Sequence, residues 1–310
     1  MIHILKSRLG MLAGGLLVFL LAACTASATS TPVTLAPTST PFPESPEIGV
    51  IVISTDLALG PNRVIFGLVD RDGMPVRAPQ ARVEAAYFVP GQDAAEVRTS
   101  ATAQFQRWPT GSQGVFTTNL ELDTVGFWQL QVSASGEDGV PVEAVGAFQV
   151  KEKTDTPSIG SPAPASVTPT LDDVEDLATI TSSPVPDPDL YRLSVHQALE
   201  AGKPLVIVFA TPAFCVTATC GPQVEVVSQL KDRFQGQANF IHVEVVENPH
   251  LIEGSRPAGG FVPAVGEWNL PTEPWTFLVD AAGLVQAKFE AFTTEGELGE
   301  ALQSILSAQP

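Results

Sequence analysis

The stretch Lys203-Pro-Leu-Val-Ile-Val-Phe-Ala-Thr-Pro-Ala-Phe-Cys215-Val-Thr-Ala-Thr-Cys220-Gly-Pro222 constrains the fold of this chain more than any other. Leu205 to Phe209 is an unbroken run of β-branched, aromatic and aliphatic residues and reads as a buried strand. Two cysteines follow in a short loop, and an apolar-periodic stretch starts at Pro222. A strand, a cysteine loop and a helix N-terminus form a layout in which a thiol can be made acidic and redox-active, because the helix end favours the thiolate.

Whether those cysteines meet as thiols or as a disulfide depends on the compartment. Lys6 and Arg8 form a positive n-region, and Met11 to Leu20 form an apolar core that is short for a spanning helix. Leu21-Ala22-Ala23-Cys24 resembles a bacterial lipobox. That resemblance implies removal of residues 1–23 as a signal peptide and a diacylglycerol thioether on Cys24. It places the protein at the cell membrane, lipid-anchored on the extracytoplasmic face; a plain signal anchor is the alternative. The chain has three cysteines. With Cys24 carrying lipid, Cys215 and Cys220 remain as a pair in an oxidising compartment, where a disulfide is the default resting state.

The formal net charge is −18, and loss of Lys6 and Arg8 with the leader makes the mature chain more acidic still. A field of that sign repels nucleic acid and anionic headgroups, so DNA and RNA are excluded as partners. With 310 residues, 44% of them apolar, the chain can bury two ordinary cores.

Residues 24–46, rich in Thr, Ser and Pro, read as a disordered tether. From 47 to 151 the pattern is β. Candidate strands lie at 48–54, 63–69, 81–89, 99–105, 115–122, 127–133 and 142–150, separated by turn signals such as Asp70-Arg-Asp-Gly73 and Gly136-Glu-Asp-Gly139. Seven short strands with frequent turns argue for an immunoglobulin-like sandwich. The run Gly114-Val-Phe…Val125-Gly-Phe-Trp128-Gln-Leu-Gln-Val132 resembles the late strands of bacterial immunoglobulin-like modules. This region contains no Cys or His and one Met, Met74. It therefore lacks the soft or imidazole ligands that a copper-binding sandwich needs, and reads as a spacer or protein-binding platform. Residues 152–188 form a second Pro/Ser/Thr-rich stretch, read as a linker.

Residues 189–310 alternate helix and strand. Ser194 can cap a helix, 205–209 and 240–246 are strands, and Val224, Val227, Leu230 and Phe234 share one helix face. Strands 275–279 and 284–289 flank the turn Asp280-Ala-Ala-Gly283, and Thr294 with Glu297 forms a capping box for a last helix.

This last region resembles the thioredoxin superfamily, in particular its membrane-tethered extracytoplasmic members. The resemblance rests on the core strand before the cysteines, on Cys220-Gly221-Pro222 at a helix start, and on Glu273-Pro274-Trp275-Thr276-Phe277 before the hairpin. It implies an α/β thioredoxin-like domain, and with the strand pattern of 47–151 the expected chain is multidomain, an all-β immunoglobulin-like sandwich followed by that domain. The thioredoxin resemblance covers the last region alone. It also implies a cis-proline facing the active cysteines, at Pro274, with Pro271 as a second candidate. The sequence departs from the family in four ways. The tryptophan that often precedes the first cysteine is absent, since Phe214 precedes Cys215 and Thr219 precedes Cys220. Four residues separate the cysteines instead of two, the core strand holds no acid, and no Lys or Arg lies between Lys203 and Lys231. Either Cys215 matches the first family cysteine, or Cys220 does and Gln223 stands where the second would be.

The functional expectation is thiol–disulfide exchange with extracytoplasmic proteins that carry thiols or disulfides. Cys220 is the attacking thiol, Cys215 the resolving one and Pro274 the facing proline. The rival is a non-catalytic binding module with a structural Cys215–Cys220 disulfide. A copper chaperone using Cys215, Cys220 and His250 is the weakest reading, since a lone loop histidine is more simply solvated. His196 and His242 read as helix and strand residues, and no metal or cofactor is expected. Trp268 and Trp275 read as packing near the cysteine loop.

Overall fold

In the computed structural model, which describes residues 47–92, 94–109, 113–215, 217–254 and 259–308, strands form at all seven expected N-terminal places. The leader, Cys24 and the 24–46 tether lie outside the described residues. The strands are β1 (Ile48–Val52), β2 (Gly60–Asp70), β3 (Gln80–Tyr87), β4 (Glu96–Arg107), β5 (Gly114–Leu122), β6 (Gly126–Ser135) and β7 (Pro141–Val150).

The all-β expectation holds, but the strands do not form a two-sheet sandwich. Their order is β1-β2-β5-β4-β3-β6-β7 in one closed barrel. Strand β1 closes it, running antiparallel to β2 and meeting β7 in a parallel pairing at Gly49 and Val145. Gly146 permits this approach, because a Cβ there would sit 2.8 Å from Cβ and from the carbonyl oxygen of Val50. Alternation along a strand tells which residues face inward; it does not tell which strand lies alongside, and closure is a matter of neighbours. The interior is filled by side chains. Trp128, Phe66, Phe116, Leu120, Leu122 and Leu130 are among its fully buried members, and Phe66 stacks on Phe116 with ring centroids 5.2 Å apart.

The second half of the fold-class expectation is also corrected: residues 189–310 are not a clear α/β thioredoxin-like domain. Their elements are α1 (Val195–Glu200), β8 (Leu205–Ala210), α2 (Cys220–Arg233), β9 (Asn239–Glu244), α3 (Pro263–Glu267), β10 (Trp275–Val279), β11 (Val285–Glu290) and α4 (Glu295–Ser307). The sheet has four strands in the order β11-β10-β8-β9. Within it only β8 and β9 run parallel, while β10 is antiparallel to both β8 and β11. Two of the four helices, α1 and α3, are six and five residues long, so helices supply a small share of a described chain that is mostly β. Hydrophobic periodicity locates each element but is blind to strand direction and to how much of a sheet is covered.

Part of that cover comes from the proline-rich stretch read as a linker. It has little regular structure, yet Thr156, Ser166, Thr168, Thr170 and Thr181 are buried. Its backbone runs along the β11 edge, where Gly160 N–H donates to Val285 O at 2.7 Å and Val285 N–H to Ser161 O at 2.9 Å. Leu171, Leu177 and Ile180 pack on the core formed by α2, α4 and the sheet. Low hydrophobicity suggested disorder, but the hydroxyls satisfy backbone and carboxylate partners and make burial affordable.

Barrel, strap and sheet meet around buried Asp56. Its carboxylate accepts from Asp155 N–H at 2.8 Å, from Thr156 N–H at 3.0 Å and from the Thr156 hydroxyl at 2.7 Å. Lys151 and Lys288 approach it at 3.1 and 3.6 Å. Burial alone would raise the Asp56 pKa; the Thr156 and Asp155 bonds and the Lys288 charge more than offset that and hold it below the usual carboxylate range. Beside it Arg63 of β2 grips Glu297 of α4 through two bonds, at 2.6 and 3.0 Å, and donates to Glu290 O at 3.1 Å.

Candidate functional site

Cys220 is the first residue of α2, and Cys215 lies in the loop that leads into it. They are joined in a disulfide with Cα atoms 5.9 Å apart, inside the span such a bond requires. Gly221 lets the helix start press against the preceding loop, since a Cβ there would lie 3.2 Å from Pro212 O. Pro222 falls in the first turn, where a missing N–H costs nothing. Thr219 precedes the helix without a side-chain cap bond, so the first-turn N–H groups remain directed at the cysteine end.

The two sulfurs differ in access. Cys220 is fully buried in the core with Val208, Val224 and Leu298, while Cys215 is half-buried at its edge. Cys215 Sγ lies 3.1 Å from the Thr217 hydroxyl, which in turn lies 2.7 Å from that of Thr219. Ala218, at the turn of the loop, has φ 56°, a left-handed conformation that costs a non-glycine residue about 1–2 kcal/mol.

Opposite the disulfide stands a group that pattern reading missed. One carboxylate oxygen of Glu273 and both cysteine sulfurs lie within 4.8 Å of one another. Glu273 Oε2 accepts from Thr211 N–H, at the end of β8, at 2.6 Å. Burial pushes its carboxyl up, and the Thr211 N–H bond only partly opposes this. The Glu273–Pro274 bond is cis, Pro274 is buried, and its carbonyl accepts from Ala291 N–H at 2.9 Å. The acid beside the sulfurs therefore comes from the loop before β10. Its only sequence signal was its place directly before Pro274.

Gln223 lies one turn after Cys220 in α2. It is fully buried, and its Oε1 accepts from Thr293 N–H at 2.7 Å, which ties α2 to the loop before α4. Trp108, at the end of β4, packs into the same apolar cluster as Cys215 and Cys220, so the barrel borders the site. Trp268 instead packs on the opposite side of the sheet with Phe209 and Phe277.

The histidines are elsewhere. His250 is exposed, and His196 pairs with Glu200 at 3.4 Å along α1. His242 is a satisfied core residue. Its Nε2 lies 2.9 Å from Ala210 O and its Nδ1 2.6 Å from the Tyr191 hydroxyl. The carbonyl can only accept, so Nε2 carries the proton and Tyr191 donates to Nδ1. Burial lowers this imidazole's pKa to about 4. Nearby, burial pushes buried Glu244 up to about 7, against bonds from the Ser182 and Val245 N–H groups. Ser182 N–H donates to Glu244 at 2.7 Å, and Ser182 Oγ accepts from Ala213 N–H of the cysteine loop at 3.2 Å. The strap therefore fastens that loop to β9. A cavity of about 570 Å³ lies beside it, lined among others by Val167, Thr168, Ile180, Tyr191, His242 and Glu244.

No family model matches the chain, and no curated protein matches it. Solved structures give partial likenesses. A thioredoxin-family thiol:disulfide interchange protein from Chlorobium tepidum TLS is 19% identical, covering 46% of this chain and 99% of its own, with a TM-score of 0.29. CopC from Methylosinus trichosporium OB3b is 14% identical over 33% of this chain and 93% of its own, with a TM-score of 0.22. A polysaccharide deacetylase from Bacillus cereus is 10% identical, with a TM-score of 0.22; the match covers 33% of this chain and spans 30% of the deacetylase's length.

Proposed function

We propose that the chain performs thiol–disulfide exchange through Cys215 and Cys220 with extracytoplasmic proteins, held at the membrane surface by lipid on Cys24. The observation that carries this reading is the asymmetry of the pair. A half-buried sulfur in a loop is bonded to an enclosed one at a helix N-terminus. In the reduced protein the Cys215 thiolate attacks a partner disulfide, joins one partner sulfur and releases the other as thiolate. Cys220, as thiolate, then attacks Cys215 Sγ and displaces the second partner sulfur. The partner gains two electrons and the 215–220 disulfide re-forms. This reverses the roles expected from sequence, where position before the helix favoured Cys220 as attacker; burial of Cys220 favours Cys215.

Trapping tests it. Cys220→Ser should accumulate mixed disulfides with envelope proteins, because nothing resolves them, and Cys215→Ser should not. The opposite pattern would restore the original roles. The enclosure of Cys220 also favours a second reading, a structural disulfide in a binding module. No trapping by either variant, with a reduction potential well below roughly −300 mV, would select it. Labelling with a fatty acid that is lost in Cys24→Ser tests the anchor. Among the described residues no helix is long and apolar enough to cross a membrane.

A further inference from the structure

We propose that the reduced chain binds a zinc ion between Cys215, Cys220 and Glu273. The three side chains come from the cysteine loop, the start of α2 and the loop before β10, and each places a ligand atom within 4.8 Å of the other two. That spread suits donors around a tetrahedral ion with bonds of roughly 2.0–2.3 Å. Sequence spacing could not show the site, because Glu273 lies far along the chain from both cysteines. Its carboxylate is held in place by the Thr211 N–H at 2.6 Å and by buried Pro274 beside it.

The donor set selects the metal. Two thiolates and one carboxylate match Zn²⁺, whereas Cu(I) prefers sulfur and gains little from the oxygen. Three protein ligands leave one position for water, and the half-buried Cys215 gives the ion its way in.

The site is created by reduction. In the disulfide the two sulfurs are bonded to each other. A dithiol reductant delivers two electrons and two protons, the S–S bond opens, and Zn²⁺ then displaces both thiol protons to solvent. The inference stands apart from exchange, since a structural dithiol would bind the ion as well, and trapping does not read it.

The test is a Zn²⁺ titration of the full chain, reduced and freed of reductant without air, against a chromogenic chelator, with Co²⁺ as spectroscopic substitute. One equivalent should bind per chain and none after reoxidation. Cys215→Ser should lose tight binding, and Glu273→Gln should weaken it by about tenfold or more. The Co²⁺ spectrum should show thiolate charge transfer and tetrahedral bands from a single chain. Equal affinity in Glu273→Gln, no competition with the chelator, or one ion shared by two chains would overturn the proposal. If Glu273→Gln fails to fold, Glu273→Asp replaces it and must bind more weakly than the wild type; equal binding would overturn the proposal as well.

Discussion

The barrel and the four-stranded region are similar in apolar content but handle polarity in opposite ways. The barrel core is a single apolar cluster built around Trp128, Phe66 and Phe116, with no buried Cys, His or Glu. The four-stranded region buries His242, Glu244, Glu290, Gln223 and Cys220. Enclosing such groups costs free energy unless they are paired, and His242, Glu244 and Gln223 each have hydrogen-bond partners. The contrast sets an apolar barrel core against a polar cluster at the end of β8, β9 and α2.

The largest effect that could break this division lies in the barrel. Trp128→Ala should lower stability by about 3–5 kcal/mol in urea melts while leaving the reduction potential of Cys215–Cys220 unchanged. A shifted potential would mean that the barrel sets the chemistry as well.

Next comes the pH dependence of the polar region. Glu244 is pushed up from 4.5 to about 7 in the fold, so its contribution to stability is present below pH 4.5 and is lost as pH rises through about 7. His242 is lowered from 6.5 to about 4, so its contribution is present above pH 6.5 and is lost as pH falls through about 4. The two oppose each other between those limits. Glu244→Gln removes the first and should leave stability rising with pH up to 6.5, then level. Relative to the variant, the wild type should lose roughly 3 kcal/mol between pH 4.5 and 8. Parallel curves for the two proteins would remove the assignment.

The junction between the regions should matter less. Arg63 is 9% exposed and makes charge-assisted bonds to Glu297, and Arg63→Ala should cost about 2 kcal/mol. It should also separate one thermal transition into two, the barrel melting apart from the sheet. A single, merely shifted transition would show that the remaining contacts, among them the Asp56 cluster, the Thr55–Glu290 bonds and Trp108, suffice to couple them.

The smallest effect sits in the cysteine loop. Ala218→Gly relieves a left-handed alanine and should stabilise the oxidised protein by up to about 1 kcal/mol. If the loop conformation serves exchange, the rate of reduction by a small thiol changes with it; a structural loop would show the stability gain alone.

Local physics made much of this legible beforehand. The strand runs at 205–209 and 275–279, the Ser194 and Thr294 caps and the helix after Cys220 all form where short-range pattern put them. The pairing of Cys215 with Cys220 followed from counting cysteines in an oxidising setting and is present. Each of these depends on residues close in sequence or on a small set of alternatives.

What the tertiary structure alone decided has a common cause: contact between residues distant in the chain. Closure of the barrel hangs on β1 finding β7, with Gly146 leaving room for Val50. The proline-rich strap is ordered because Asp56, Glu244 and the β11 edge offer partners for its backbone and hydroxyls. Glu273 reaches the disulfide because β10 lies beside β8 in the sheet, bringing the start of one strand to the end of the other. Sequence alone determined the elements, the caps and the cysteine pair, since periodicity and composition act over a few residues. The neighbours of those elements, and therefore the acid beside the sulfurs and which sulfur faces solvent, were decided only when the chain folded back on itself.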